Sequence, residues 1–152
     1  MNQTGIARAR QELAAARLLT ENGFTAAAVS RAFHAAFYAA ETALLVLGET
    51  RAQHSDVVSA FVRRVVRERA LEPQAGRLLR SLFNRYWLAD HSYETTPDAE
   101  AVAALTDATF VVDAVVDWLA APERSSPPAV GNGAATRMPA KPSRRTRTGP
   151  GG

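Results

Sequence analysis

An arginine and a histidine six residues apart stand in the segment NRYWLADHSYE, Asn84 to Glu94, with Asp90 and Tyr93 close by. The two residue types suit RNA cleavage. A guanidinium can hold a phosphate and stabilise the charge that grows on it in the transition state. An imidazole, with an unperturbed pKa near ~6.5, can take the proton of a ribose 2′-hydroxyl or return one to the leaving oxygen. Such a pair needs no metal. Asp90 or Tyr93 can orient the imidazole or contact a base by stacking, and Asn84 flanks Arg85. A plainer alternative stands beside this one: Tyr86, Trp87 and Leu88 close a core, and the polar residues after them form a solvated turn.

Six residues of regular helix correspond to ~600° of rotation and ~9 Å of rise, so Arg85 and His91 would point to different sides. Either the helix ends or bends between them, or two chains share one site. His91 and Trp87, four residues apart, would be neighbours on one face, which gives the imidazole an aromatic backing. Arg31, His34 and His54 are further candidates for contact with a ligand or an interface. For His34, surrounded by small and aromatic residues inside a helix, packing or an interface is expected. For His54, ahead of a helix start, a loop role is the default.

The elements that must position these residues are all helices. From Thr4 to Glu21, Ile6, Ala9, Leu13 and Ala16 recur at three- and four-residue steps and form one stripe, after which Gly23 reads as a left-handed cap. The pattern repeats from Thr25 to Leu47 and stops at Gly48, so two long helices joined by a short turn lie antiparallel. Ser55 reads as the N-cap of a third helix with Asp56 in its first turn. Pro73 opens a fourth, which carries Leu78, Leu79, Leu82, Phe83 and Tyr86 toward the Arg85 segment. Thr96 as cap and Pro97 at the first helical position start a fifth, with Val115 and Trp118 near its end. No segment reads as a strand.

The chain has 152 residues, 47% of them hydrophobic with alanine prominent, which favours closely packed helices in one domain. It has no cysteine, so disulfides and thiolate metal sites are excluded, and its three histidines lack the spacing of a zinc motif. No metal or cofactor is expected. The start MNQTGIARARQE has no apolar leader core and no apolar run reaches the ~18 residues of a membrane span, so a cytoplasmic protein is expected. Residues 1–120 hold 12 Arg/Lys against 14 Asp/Glu, while residues 121–152 hold 6 against 1. The basic excess therefore belongs to a Pro/Gly/Arg-rich tail, 121–152, whose composition predicts disorder and at most a salt-sensitive, sequence-blind contact with RNA.

Two segments together resemble the HEPN superfamily of small prokaryotic helical-bundle proteins, over about residues 5 to 120. One is AAVSRAFHAAFYAAETALLVLG followed by HSDVVSAF; the other is the Arg85-to-His91 spacing followed by HSY, similar to the family's Arg-x4-6-His signature at a helix end. The resemblance implies an all-α, antiparallel four- to five-helix bundle over residues 4–120. It also implies a toxin-like, metal-independent endoribonuclease that dimerises so that motifs from two protomers face one cleft. Arg85 would then bind phosphate and His91 act as acid and base, supported by Asp90, Tyr93 and Asn84. The implied partners are a second copy, an RNA substrate and a minimal nucleotidyltransferase antitoxin, which can attach a nucleotide to Tyr93. A non-catalytic module that partners such a nucleotidyltransferase, or a nucleotide-sensing dimer, are the alternatives.

Overall fold

Two glycines end the first two helices in the same way in the structure, a computed structural model that describes residues 2–50 and 53–126. Helix α1 (Asn2–Glu21) stops before Gly23 at φ +82°, and α2 (Thr25–Val46) before Gly48 at φ +80°. In each case the amide after the glycine donates to the carbonyl five residues back, Phe24 to Leu19 at 2.9 Å and Glu49 to Leu44 at 3.0 Å. The space around both glycines is open, but their positive φ strains any residue that carries a Cβ, and glycine has none.

The central rod is α2, which packs against α1, α3, α4 and α5. Seven of its alanines are buried, Ala28, Ala32, Ala35, Ala36, Ala39, Ala40 and Ala43, so its neighbours approach closely on several sides. At the crossing with α1 the approach is close enough that a methyl group on Gly5 would lie 2.0 Å from Thr42 Oγ1. Phe33, Leu44, Phe61, Leu79, Leu82, Val111 and Trp118 fill the space between α2 and the later helices. The result is an all-α helical bundle with no strand among the described residues, where no helix is long and apolar enough to cross a membrane.

Three boundaries depart from the sequence reading. Helix α3 (His54–Ala60) starts one residue before Ser55, with Gln53 at the cap and no side-chain capping bond. His54 packs its ring on Phe37, centroids 4.6 Å apart, and this tertiary contact holds it in the first turn. Helix α5 (Asp98–Leu119) begins after Pro97, which is itself the extended cap residue. Thr25 Oγ1 donates to the Thr96 carbonyl at 2.6 Å and ties that segment to the start of α2. Finally, α6 (Pro122–Ser125) is ordered where the tail composition predicts no regular structure, while 127–152 lie outside the described residues.

A π-helical run, Phe61–Arg67, continues α3 and leads into a turn where Ala70 takes φ +59°. That backbone is costly for a residue with a Cβ. Trp118 Nε1–H donates to the Arg69 carbonyl at 2.9 Å, and Arg124 donates to the Ala70 carbonyl at 3.1 Å. The reverse bond, Arg69 to the Arg124 carbonyl at 3.3 Å, makes α6 a clamp on this turn. Helix α4 (Pro73–His91) follows, with Pro73 in its first turn as expected and Glu72 accepting from the Gln74 amide at 3.0 Å.

Candidate functional site

Leu79 and Leu82, fully buried, fix the rotation of α4 on the bundle and thereby the direction of every residue after them. Arg85 turns toward α5, where its Nη2 donates to Asp107 Oδ2 at 2.7 Å. The pair is largely enclosed, with the arginine side chain 17% and the aspartate 29% exposed. Arg85 Nε is buried and has no hydrogen-bond partner among the described residues, so the guanidinium keeps donor capacity beyond Asp107. It lines a cleft of about 290 Å³ with Val29, Leu88, Ser92, Glu94, Thr96 and Glu100. The cleft thus holds one guanidinium and carboxylates from the α4–α5 connection and α5.

His91, the last residue of α4, is exposed. Its Nδ1 lies 2.8 Å from the Trp87 carbonyl, and its ring stacks on the Trp87 indole, centroids 3.7 Å apart and 11° from parallel. A carbonyl only accepts, so Nδ1 carries the proton and donates. In the neutral ring Nε2 then keeps its lone pair. Asp90, Tyr93 and Asn84 are exposed, and none of them hydrogen-bonds to His91 among the described residues. Helix α4 runs unbroken through Arg85 and His91, so it neither ends nor bends between them. One chain therefore leaves the two side chains on faces about 120° apart.

The other three candidates gather at a second place. His34 Nδ1 lies 2.8 Å from the Ser30 carbonyl, and its ring meets Tyr86 edge-on at 5.2 Å and His54 at 5.7 Å. Arg31 Nη2 also comes within 3.4 Å of Nδ1. The nearer carbonyl claims the Nδ1 proton, which leaves the guanidinium facing another donor. Arg31 is held instead by Glu12 at 2.9 Å, a buried carboxylate that also accepts from Arg8 at 3.1 Å. Burial pushes the His34 imidazole below its ordinary pKa, with the Arg31 and His54 charges acting in the same sense and the Ser30 bond opposing. Burial raises the Glu41 carboxyl, with His54 opposing.

The chain thus brings His34, His54 and Arg31 together but holds Arg85 away from His91. Nothing local in the sequence marks Asp107 as the partner of Arg85, because it lies 22 residues on, in another helix.

The family model for the HEPN domain matches residues 3–119. A Methanocaldococcus jannaschii protein named "Putative toxin MJ0605" is 31% identical over 107 residues, which cover 70% of this chain and 80% of that protein. A UPF0332 protein of Thermotoga maritima is 32% identical over 84 residues, 55% of this chain and 64% of its own length. A UPF0332 protein of Gloeobacter violaceus is 41% identical over 54 residues, 36% and 43% of the two chains. The match spans all the helices that place Arg85 and His91, from α1 to the end of α5, and the chain belongs to the HEPN domain family.

Proposed function

We propose that this HEPN-family chain is a toxin-like, metal-independent endoribonuclease that works as a homodimer, with His91 as the proton-transfer group and Arg85 as the electrostatic one. The observation that carries this reading is the state of His91. The Trp87 carbonyl holds its Nδ1–H, and Nε2 presents a lone pair at an exposed helix end. In the reaction Nε2 takes the 2′-hydroxyl proton, the 2′-oxygen bonds to phosphorus, and the 5′-oxygen leaves with a proton. The products are a 2′,3′-cyclic phosphate and a 5′-hydroxyl. Asp107 orients the Arg85 guanidinium, whose remaining N–H groups can face the phosphate oxygens. A two-fold interface would set Arg85 of one protomer against His91 of the other, since each patch is repeated across the axis. Asp90 and Tyr93 lie within two residues of His91 and Asn84 adjoins Arg85; all three are exposed and take supporting roles in this reading. The toxin-like character rests on the name of the M. jannaschii relative.

Purified chain incubated with single-stranded RNA in EDTA is expected to cleave it and leave 2′,3′-cyclic ends. Intact RNA, or cleavage that only divalent metal restores, would remove this reading.

A second reading, a non-catalytic module that partners a nucleotidyltransferase, is favoured by the exposure of three large apolar or aromatic side chains at and just past the end of α4, Trp87, Leu88 and Tyr93. Tyr93, fully exposed, would be the nucleotide acceptor. Mass spectrometry of chain co-produced with a minimal nucleotidyltransferase and ATP tests it: one added nucleotide, absent from Tyr93→Phe, supports it, and an unmodified Tyr93 refutes it.

A further inference from the structure

We infer that the groove between the π-helical run and the first half of α4 binds the phosphodiester backbone of single-stranded RNA and leads the strand to His91. This deepens the ribonuclease reading and rests on it for the choice of RNA. The groove, about 620 Å³, is walled by Arg67, Arg77 and Arg80, with Ser81 and Asn84 at one side and no carboxylate in its lining. Its floor is apolar. Val62 and Val66 lie so near Gly76 that a methyl group there would sit 3.4 and 3.3 Å from them, so the glycine keeps the two walls close. The run that forms one wall is π-helical, a distortion frequent at functional sites.

The arginines of this groove are electrostatically uncommitted. Arg77 donates to the neutral amide oxygen of Gln74 at 2.6 and 3.2 Å, and among the described residues Arg67 and Arg80 have no ion pair. Elsewhere on the same two elements the arrangement differs: Arg64 is paired with Glu49 at 2.8 Å and Arg85 with Asp107 at 2.7 Å. Guanidiniums without carboxylates, joined by hydroxyl and amide groups, match a run of phosphates.

Register ties the groove to the chemistry. Arg77, Asn84 and His91 follow one another at seven-residue steps, which drift only ~20° per step on a helix and span ~21 Å from first to last. All three are exposed. Trp87, half exposed on the same stripe, offers an indole against which a base can stack on the way.

The test is fluorescence anisotropy of a 5′-labelled unstructured RNA, in EDTA, with the full chain carrying His91→Ala so that no strand is cut. Adding Arg67→Gln, Arg77→Gln and Arg80→Gln together is expected to weaken binding at least tenfold. It should also flatten the plot of log affinity against log salt by about 2, from ~0.7 per lost phosphate contact. The matching triple lysine variant should retain most of the affinity, which separates charge from fold. Should the glutamine triple not fold by circular dichroism, Ser81→Glu, an exposed helix position, is expected to weaken binding by setting a carboxylate in the groove.

Unchanged affinity and salt slope in the folded triple, or in Ser81→Glu, would overturn the proposal. So would poly-glutamate competing better than RNA of equal charge, which would identify an acidic protein partner. Cleavage is not read in this experiment. Arginine-dependent binding by a chain that never cuts RNA would refute the ribonuclease reading and leave the groove standing.

Discussion

His34 and His91 make the same local bond in opposite surroundings. Each donates Nδ1–H to the carbonyl four residues back at 2.8 Å, Ser30 for one and Trp87 for the other, so both present the same tautomer. His34 stands among Phe33, Phe37, Tyr38, His54 and Tyr86, and burial lowers its pKa. Among the described residues His91 has one aromatic neighbour, Trp87, and its side chain is exposed. A shared hydrogen bond therefore does not make a base. The environment of Nε2 does, and it separates a residue that packs the bundle from one that can meet a substrate.

The largest expected difference between the two regions is in stability. Phe33 is fully buried and stacks on Tyr86 at 4.7 Å, so Phe33→Ala should cost about 3–5 kcal/mol in denaturant unfolding. A loss below about 1 kcal/mol would show that the His34 region is not the packed core described above.

Between the two regions lies Arg85, and its replacement tests what the cleft contributes to each. Arg85→Ala strips Asp107 of its partner and should destabilise by about 1.5–3 kcal/mol, the range for a hydrogen bond to a charged group. Exposed Arg80→Ala should stay within about 0.5 kcal/mol. Equal effects at the two positions would mean that the Arg85–Asp107 pair does not lock α4 to α5.

A smaller effect is expected from pH. His34 is held below its ordinary value of 6.5, chiefly by burial, so the unfolded chain binds more protons than the folded one as pH falls. Its contribution is full above ~6.5 and is lost below that as pH approaches the lowered folded value. Glu41 acts in the opposite sense: raised above 4.5 by burial, it favours the fold at low pH and loses that contribution as pH rises through its folded value. His34→Gln should therefore reduce the fall in unfolding free energy between pH ~7.5 and ~5.5. An unaltered acid slope in His34→Gln would contradict the contrast.

The smallest effect is at Trp87. The indole is half exposed, so Trp87→Ala should shift stability by only about 0.5 kcal/mol, while the His91 ring resonances in NMR lose the ring-current shift of the stacked pair. Unchanged His91 shifts would show that the two rings do not stack in solution.

What could be read in the sequence follows the range of the forces involved. Gly23, Gly48 and Pro73 act on their own turns, and the helix boundaries they mark agree with the structure. The start of α3 slips by two residues and the start of α5 by one, where distant partners, Phe37 and Thr25, hold the chain. The turn at Ala70 and the clamp of α6 depend on Trp118, 49 residues from Arg69, and no local pattern foretells them. The Arg85-to-His91 spacing was visible as a pattern, and helical geometry alone placed the two residues on different faces. Asp107, the His34–His54 contact and the arginine groove were not visible, because each joins residues from different elements.

The central claim, that His91 and not His34 carries proton transfer in RNA cleavage, is tested most directly by cleavage rates in EDTA for the wild type, His91→Ala and His34→Gln, each confirmed folded by circular dichroism. The expected result is a loss of ~10²- to 10⁴-fold for His91→Ala, the range for a general acid or base, with His34→Gln within a few-fold of wild type. Cleavage by His91→Ala at the wild-type rate, or a loss confined to His34→Gln, would contradict it.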